Sequence, residues 1–234
     1  MLRPRGRSRA QVTPTQLHGL ACALFESAGA DHTALVKPFS VAPLLATPGN
    51  RALLTIGWLD DVRPPGLESI TGRDVRLGSQ FFTVEEVTAQ HVPYAALATM
   101  ASVPAVTIEF ASVTYFKRGD IQVPLPDPGL LYRGLARRWN TFAPMVIDEE
   151  TLTVLDRTVA VSHAVVTTDA INPGKGPKTG FRGVVTYRCL ATSDSVRGVF
   201  TALSTFAEHA GVGAQTAHGL GWVKVVLHKP DAGP

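Results

Sequence analysis

The feature that most narrows the fold is a glycine-rich run, Gly211-Val212-Gly213-Ala214-Gln215-Thr216-Ala217-His218-Gly219-Leu220-Gly221, set between an amphipathic segment and an apolar one. Glycines this dense supply backbone conformations that other residues hold only at a cost, and they leave backbone NH groups approachable. Upstream, Val199, Ala202, Leu203 and Phe206 recur at helical spacing; downstream, Trp222 to Leu227 reads as a strand. The order is helix, glycines, strand. A dinucleotide fingerprint needs strand, glycines, helix, so that the pyrophosphate meets a helix N-terminus, and a P-loop needs Gly-Lys-Ser/Thr; neither is present. From the residues alone two readings stay open. Gly211 is a helix C-cap leading through a tight turn into a final strand, or the loop displays NH groups to a ligand.

A chain of 234 residues can hold one large domain or two smaller ones, each with its own core, and the distribution of elements favours two. A formal charge of +3 permits a polyanionic partner without requiring one. Cys22 and Cys189 stand far apart with no Cys-x-x-Cys pattern, which argues against zinc and against a disulfide framework. No His, Asp and Glu set falls at metal-ligand spacing, and no metal or cofactor is expected. No long apolar run and no secretory leader is visible, so a cytoplasmic location with no membrane partner is expected.

Along the chain, the arginine-rich start (Arg3, Arg5, Arg7, Arg9) shows no strand pattern. A first helix is expected from Thr15 as N-cap to near Gly29, with Leu17, Leu20, Ala21, Leu24 and Phe25 on one face. Lys37 to Leu45 and Leu53 to Trp58 read as a hairpin about a Pro48-Gly49-Asn50 turn, followed by a weakly helical piece, a strand over residues 81–87 and a short helix from Tyr94 to Met100. A second unit opens near Val103 with a strand over Val106 to Phe110. A helix follows the Pro124 to Pro128 turn, with Arg133, Arg137 and Arg138 read as a basic surface. Two β-rich stretches then flank a basic Pro/Gly loop over residues 172–180, and the helix, glycine loop and strand close the chain. The expected class is α+β, two tandem ferredoxin-like βαββαβ domains at residues 1–102 and 103–234, the first without an evident opening strand.

The stretch Gly211-Val212-Gly213-Ala214-Gln215-Thr216-Ala217-His218-Gly219-Leu220-Gly221-Trp222-Val223 resembles the C-terminal G-x-G-x-x-T-x-x-G-x-G signature of the RAMP superfamily of CRISPR-associated RNA-binding proteins. Three further stretches are similar to one branch, the CRISPR repeat-processing endoribonucleases (the Cas-six family). They are Gln16-Leu17-His18-Gly19-Leu20 with Lys37-Pro38-Phe39-Ser40-Val41; Phe110 to Phe116 with Leu125-Pro126-Asp127-Pro128 and Arg137-Arg138-Trp139-Asn140; and Phe181-Arg182-Gly183-Val184-Val185.

The resemblance implies a metal-independent endoribonuclease that cuts repeats in a precursor CRISPR transcript by 2′-hydroxyl attack, leaving a cyclic phosphate. It implies His32 as general base or acid and Lys37 as the group that holds the scissile phosphate. No tyrosine lies on the first helix, which leaves His18 as a substitute candidate. RNA contacts are expected from Gly211, Gly213, Gln215, Thr216, His218, Gly219 and Gly221 of the loop and from Lys175, Lys178 and Arg182. The alternative is a catalytically silent RNA-binding subunit of a CRISPR effector complex. Effector-complex proteins and a second copy of the chain stand as further partners beside repeat RNA.

Overall fold

The computed structural model describes residues 1–5, 12–25, 36–63, 65–172 and 176–229. The opening residues form a strand after all. Leu2–Pro4 (β1) sits between two other strands, with Leu2 opposite both Ala52 and Val84. The expectation of a missing first strand is corrected here. Its alternation is hidden by arginines: Leu2 points into the core, while Arg3 and Arg5 point out to Glu85 and Asp74.

Helix α1 spans Pro14–Phe25. Thr13, not Thr15, caps it, since Thr13 Oγ1 accepts from Gln16 N while Gln16 Oε1 accepts from Thr13 N, and proline occupies the first turn. The expected single hairpin is two nested ones. The outer pairs Phe39–Val41 (β2) with Ile56–Trp58 (β5), and the inner pairs Leu45–Thr47 (β3) with Arg51–Leu53 (β4) through Gly49 and Asn50, both at positive φ. The weakly helical piece is a 3-10 turn at Leu67–Ser69 followed by a hairpin, Asp74–Leu77 (β6) with Gln80–Val84 (β7). The short helix α2 covers Tyr94–Ala98.

Ala105–Thr114 (β8) begins the second half, followed by the small hairpin Phe116–Arg118 (β9) and Ile121–Val123 (β10). Asp127 caps helix α3, Pro128–Phe142, through Leu130 N, and Asp148 caps α4, Glu149–Thr158, through Thr151 N. Helix α4 adds to the elements expected from the sequence, although an Asp cap, two glutamates in the first turn and Leu152 with Leu155 mark it. Strands Val159–Ile171 (β11) and Lys178–Cys189 (β12) form a hairpin longer than expected. Lys178, Thr179 and Gly180 are strand residues and not loop, in unbroken register with Ala170, Asp169 and their neighbours. Ser193 caps α5, Asp194–Ala210, and Val223–His228 (β13) ends the fold.

The result is a mixed α+β fold with two antiparallel sheets, ordered β3-β4-β1-β7-β6 and β11-β12-β8-β13. In both, the strands up to the closing one lie in the sequence order second, third, first, fourth, with β6 added to the edge of the first sheet. Helices α3 and α5 cover one face of the second sheet around Ile108, Trp139, Tyr187, Phe200 and Phe206, while α1 covers the first sheet through Leu20. Among the described residues no helix is long and apolar enough to cross a membrane.

Candidate functional site

The glycine loop does not hang free. It packs into the seam between the halves, against α1 and β2. Gly211 caps α5 at φ 69, and its NH bonds Ala207. Gln215 and Gly219, both left-handed, flank a 3-10 turn at Thr216–His218. Gly219, at φ 86, faces the tip of the Leu17 side chain of α1, and a Cβ on Gly221 would run into the Val212 carbonyl. The NH groups of Val212, Ala214, His218, Gly221 and Trp222 bond the chain's own Gly221, Tyr115, Gln215, Val113 and Ser112. Of the predicted RNA-binding positions, Gly211, Thr216, Gly219 and Gly221 are buried, Gln215 and His218 are half-buried and Gly213 is exposed.

The same seam brings His18 onto His218. Their rings stack at 4.0 Å with an interplanar angle of 7°, and Phe39 lies 6.1 Å from His18. His18 Nδ1–H donates to the Ala217 carbonyl at 3.2 Å, which leaves Nε2 as the lone-pair nitrogen, 3.5 Å from the Cys22 thiol one helical turn on. Two positive imidazoles at this separation would repel by roughly 4 kcal/mol at an effective dielectric of 20. Lys37 stands half-buried two residues before Phe39, where β2 begins. His32 lies outside the described residues, as does Lys175.

Arg138 builds the seam and does not lie on the expected basic surface. Its guanidinium is buried and donates to the Ala210 carbonyl, to Thr216 Oγ1 (2.6 Å) and to the Phe39 carbonyl (3.3 Å). One side chain thus ties the end of α5, the glycine loop and β2 together. Desolvation lowers its pKa to about 10. Arg133 is also not a free surface cation, being paired with Glu149 and Asp156 across α3 and α4. Arg137 alone of the three is exposed without such a pair among the described residues. Ser40 Oγ donates to the His209 carbonyl (2.5 Å), a second tie between β2 and α5. Gln215 Oε1 accepts from Tyr115 Oη at 2.7 Å, and burial pushes that phenol's pKa up.

Lys178 and Arg182 lie on the β11–β12 hairpin, where Arg182 pairs with half-buried Asp169 at 3.2 Å. A cleft of about 1150 Å³ also opens between the halves, lined in part by Phe25, Trp58, Tyr94 and Trp222. Asp60, Asp61, Glu86 and Glu208 line it against Lys224, so its charge disfavours phosphate. Among the described residues no group of three His, Cys, Asp or Glu side chains gathers as a metal site requires.

Comparisons with known proteins fit this architecture. The family model for the CRISPR-associated endoribonuclease Cas6 matches residues 108–223. A solved Cas6 product complex superposes with a TM-score of 0.82 at 25% identity, covering 96% of this chain and 97% of that one. A second Cas6 product complex gives 0.84 at 24% identity, over 96% and 98%. Cas6 of Thermus thermophilus gives 0.74 at 23%, over 96% and 95%. No curated protein matches the chain in sequence. Over residues 108–223 the sequence matches the Cas6 family of CRISPR-associated endoribonucleases, and the whole chain has the fold of solved Cas6 structures.

Proposed function

We propose that this chain cuts precursor CRISPR RNA within its repeats, without a metal ion, by attack of a 2′-hydroxyl on the adjacent phosphorus. The attacking oxygen loses a proton, the P–O5′ bond breaks, and the 5′-oxygen takes up a proton, leaving a 2′,3′-cyclic phosphate and a 5′-hydroxyl. His32 serves one proton transfer. His18 Nε2, the basic nitrogen left by the Nδ1 bond to Ala217, serves the other. Lys37 holds the scissile phosphate and offsets charge growing on the phosphorane.

The observation that carries this reading is the His18–His218 stack at the seam that β2 enters two residues after Lys37. The family match supports it, as does the likeness to Cas6 structures solved as product and substrate mimic complexes. In this reading Gly213, Gln215 and His218 meet the RNA, and buried Gly211, Thr216, Gly219 and Gly221 hold the loop in the shape that allows it. Lys175, Lys178 and Arg182 contact the repeat backbone. The chain is divided into two ferredoxin-like domains, 1–102 and 103–234, a division supported by the shared strand order of the two sheets.

The test is cleavage of labelled repeat RNA in excess EDTA under single-turnover conditions. His32→Ala is expected to slow cutting by about 10²- to 10⁴-fold with binding retained, and His18→Ala to slow it as well. Normal cutting by His32→Ala would pass its role to His18. Binding without cutting by the wild type would make the chain a silent RNA-holding subunit.

A further inference from the structure

Phe81 of β7 is 54% exposed, while every other Phe, Tyr and Trp among the described residues is buried or half-buried. An isolated apolar side chain at the surface is ordinary, but the neighbours of this one are not. The N–H of Arg5, directly after β1, donates to the Phe81 carbonyl at 2.8 Å, and on the other side Phe81 lies opposite Arg76 of β6. The ring thus stands between two arginines on one face of the first sheet. In the next row Arg3 lies opposite Thr83, and Thr83 opposite Asp74. Leu2, Ala52, Val75, Phe82 and Val84 alternate with these residues on the other face, which α1 covers through Leu20. The face of Phe81 is the open one.

Its charge is positive. Arg3, Arg5, Arg51 and Arg76 stand there against Asp74 and Glu85. Glu85 is shared by Arg3 (2.6 Å) and Arg51 (2.9 Å), and Asp74 pairs with Arg5 at 2.8 Å while also accepting from Thr83 Oγ1. Arg76 makes no ion pair among the described residues, its Nε donating to the Gly78 carbonyl at 2.7 Å. Arg3, Arg51 and Arg76 are held through Nε, which leaves their terminal amino groups to donate to an anion. The pairs lie at the solvent, where an ion pair contributes little, so a phosphate can take the place of a carboxylate at small cost.

We propose that this face is a second RNA site, where an unpaired nucleotide stacks its base on Phe81 and Arg5 and Arg76 take the phosphates on either side. An aromatic side chain on an open antiparallel sheet, flanked by cations, is the combination that holds single strands: the ring meets the base and the guanidinium groups meet the backbone. Charge complementarity selects this occupant, because an apolar protein segment laid on Phe81 would take the arginines out of water without an anion in return. The site is separate from the histidine seam, since α1, which carries His18, packs on the opposite face of the sheet. It takes a part of the transcript other than the one held at the seam. The proposal rests on RNA as the ligand of this chain and not on cleavage.

Fluorescence anisotropy of the whole chain with a labelled oligouridylate of about twelve nucleotides tests this. Phe81→Ala is expected to weaken binding about tenfold and Phe81→Trp to retain it, with circular dichroism showing each variant folded. Arg5→Ala and Arg76→Ala are each expected to reduce the slope of log K against log salt concentration by about 0.7. An iodouridine in the oligonucleotide is expected to cross-link, under ultraviolet light, to the peptide that holds Phe81. Binding indifferent to Phe81→Ala overturns the proposal, and so does cross-linking confined to the glycine loop. Phe81→Ala is expected to cut a minimal repeat hairpin at the wild-type rate; slower cutting would place Phe81 at the seam and overturn a separate site. A wild type that cuts nothing sinks the cleavage reading alone, because the oligouridylate titration still decides this one.

Discussion

His209 shows how a single side chain in this fold answers to opposing forces. It occupies the last turn of α5, where a helix C-terminus favours a cation, and Glu208 beside it pulls the same way. Burial opposes both and wins, lowering its pKa below the ordinary value of 6.5. The unfolded chain therefore binds a proton that the folded chain does not. The resulting stability is fully present above the unfolded pKa and is lost as pH falls below about 6.5 through the lowered folded value. Urea denaturation between about pH 7 and pH 5 should show midpoints falling with pH, and His209→Gln should flatten that slope. Equal slopes in the two proteins would mean that His209 is solvated. Histidine's charge preference could be read from the sequence, but the environment that sets it is made by β2 and β5 arriving from the other half.

At the level of elements, two kinds of glycine separate. Gly72 and Gly49 take positive φ in turns with open space within 4 Å of where a Cβ would stand, so only backbone conformation is at stake. Gly57 sits in β5 where a Cβ would run into the His209 carbonyl, and Gly221 combines φ 67 with an impossible approach to Val212. Gly72→Ala should cost about 1 kcal/mol and Gly57→Ala or Gly221→Ala roughly 3 kcal/mol or more, read from denaturant midpoints. Similar losses at all three would show that the seam yields to a methyl group. The sequence marks the Gly211 to Gly221 loop as special because its glycines cluster. Gly57 carries no such mark, since its neighbour is a carbonyl far along the chain.

For the whole molecule, the seam decides whether the halves behave as one. Arg138 is a buried cation stabilised by the carbonyl at a helix C-terminus, a loop hydroxyl and a strand carbonyl, each from a separate element. Arg138→Ala should destabilise the chain by about 3 to 5 kcal/mol and turn one calorimetric transition into two, as each sheet loses its tie to the other. Arg138→Met, which keeps volume and removes the charge, should lose less. A single unshifted transition in Arg138→Ala would assign the coupling to Ser40 and the glycines instead.

Elements whose signals are local were legible in the amino-acid order alone. These are the periodic helices α3 and α5, the glycine loop between helix and strand, and the family resemblance that rests on that order. Strand β1 was hidden, because arginines mask a strand whose neighbours come from residues 52 and 84, and so was the extent of β11 and β12, which cross-strand pairing sets. Folding in three dimensions stacked His18 on His218 and drew Arg138 inward. Those placements arise when α1, β2 and the loop after α5 bury their apolar faces on one another, and no pattern within any one segment encodes which distant side chain it will meet.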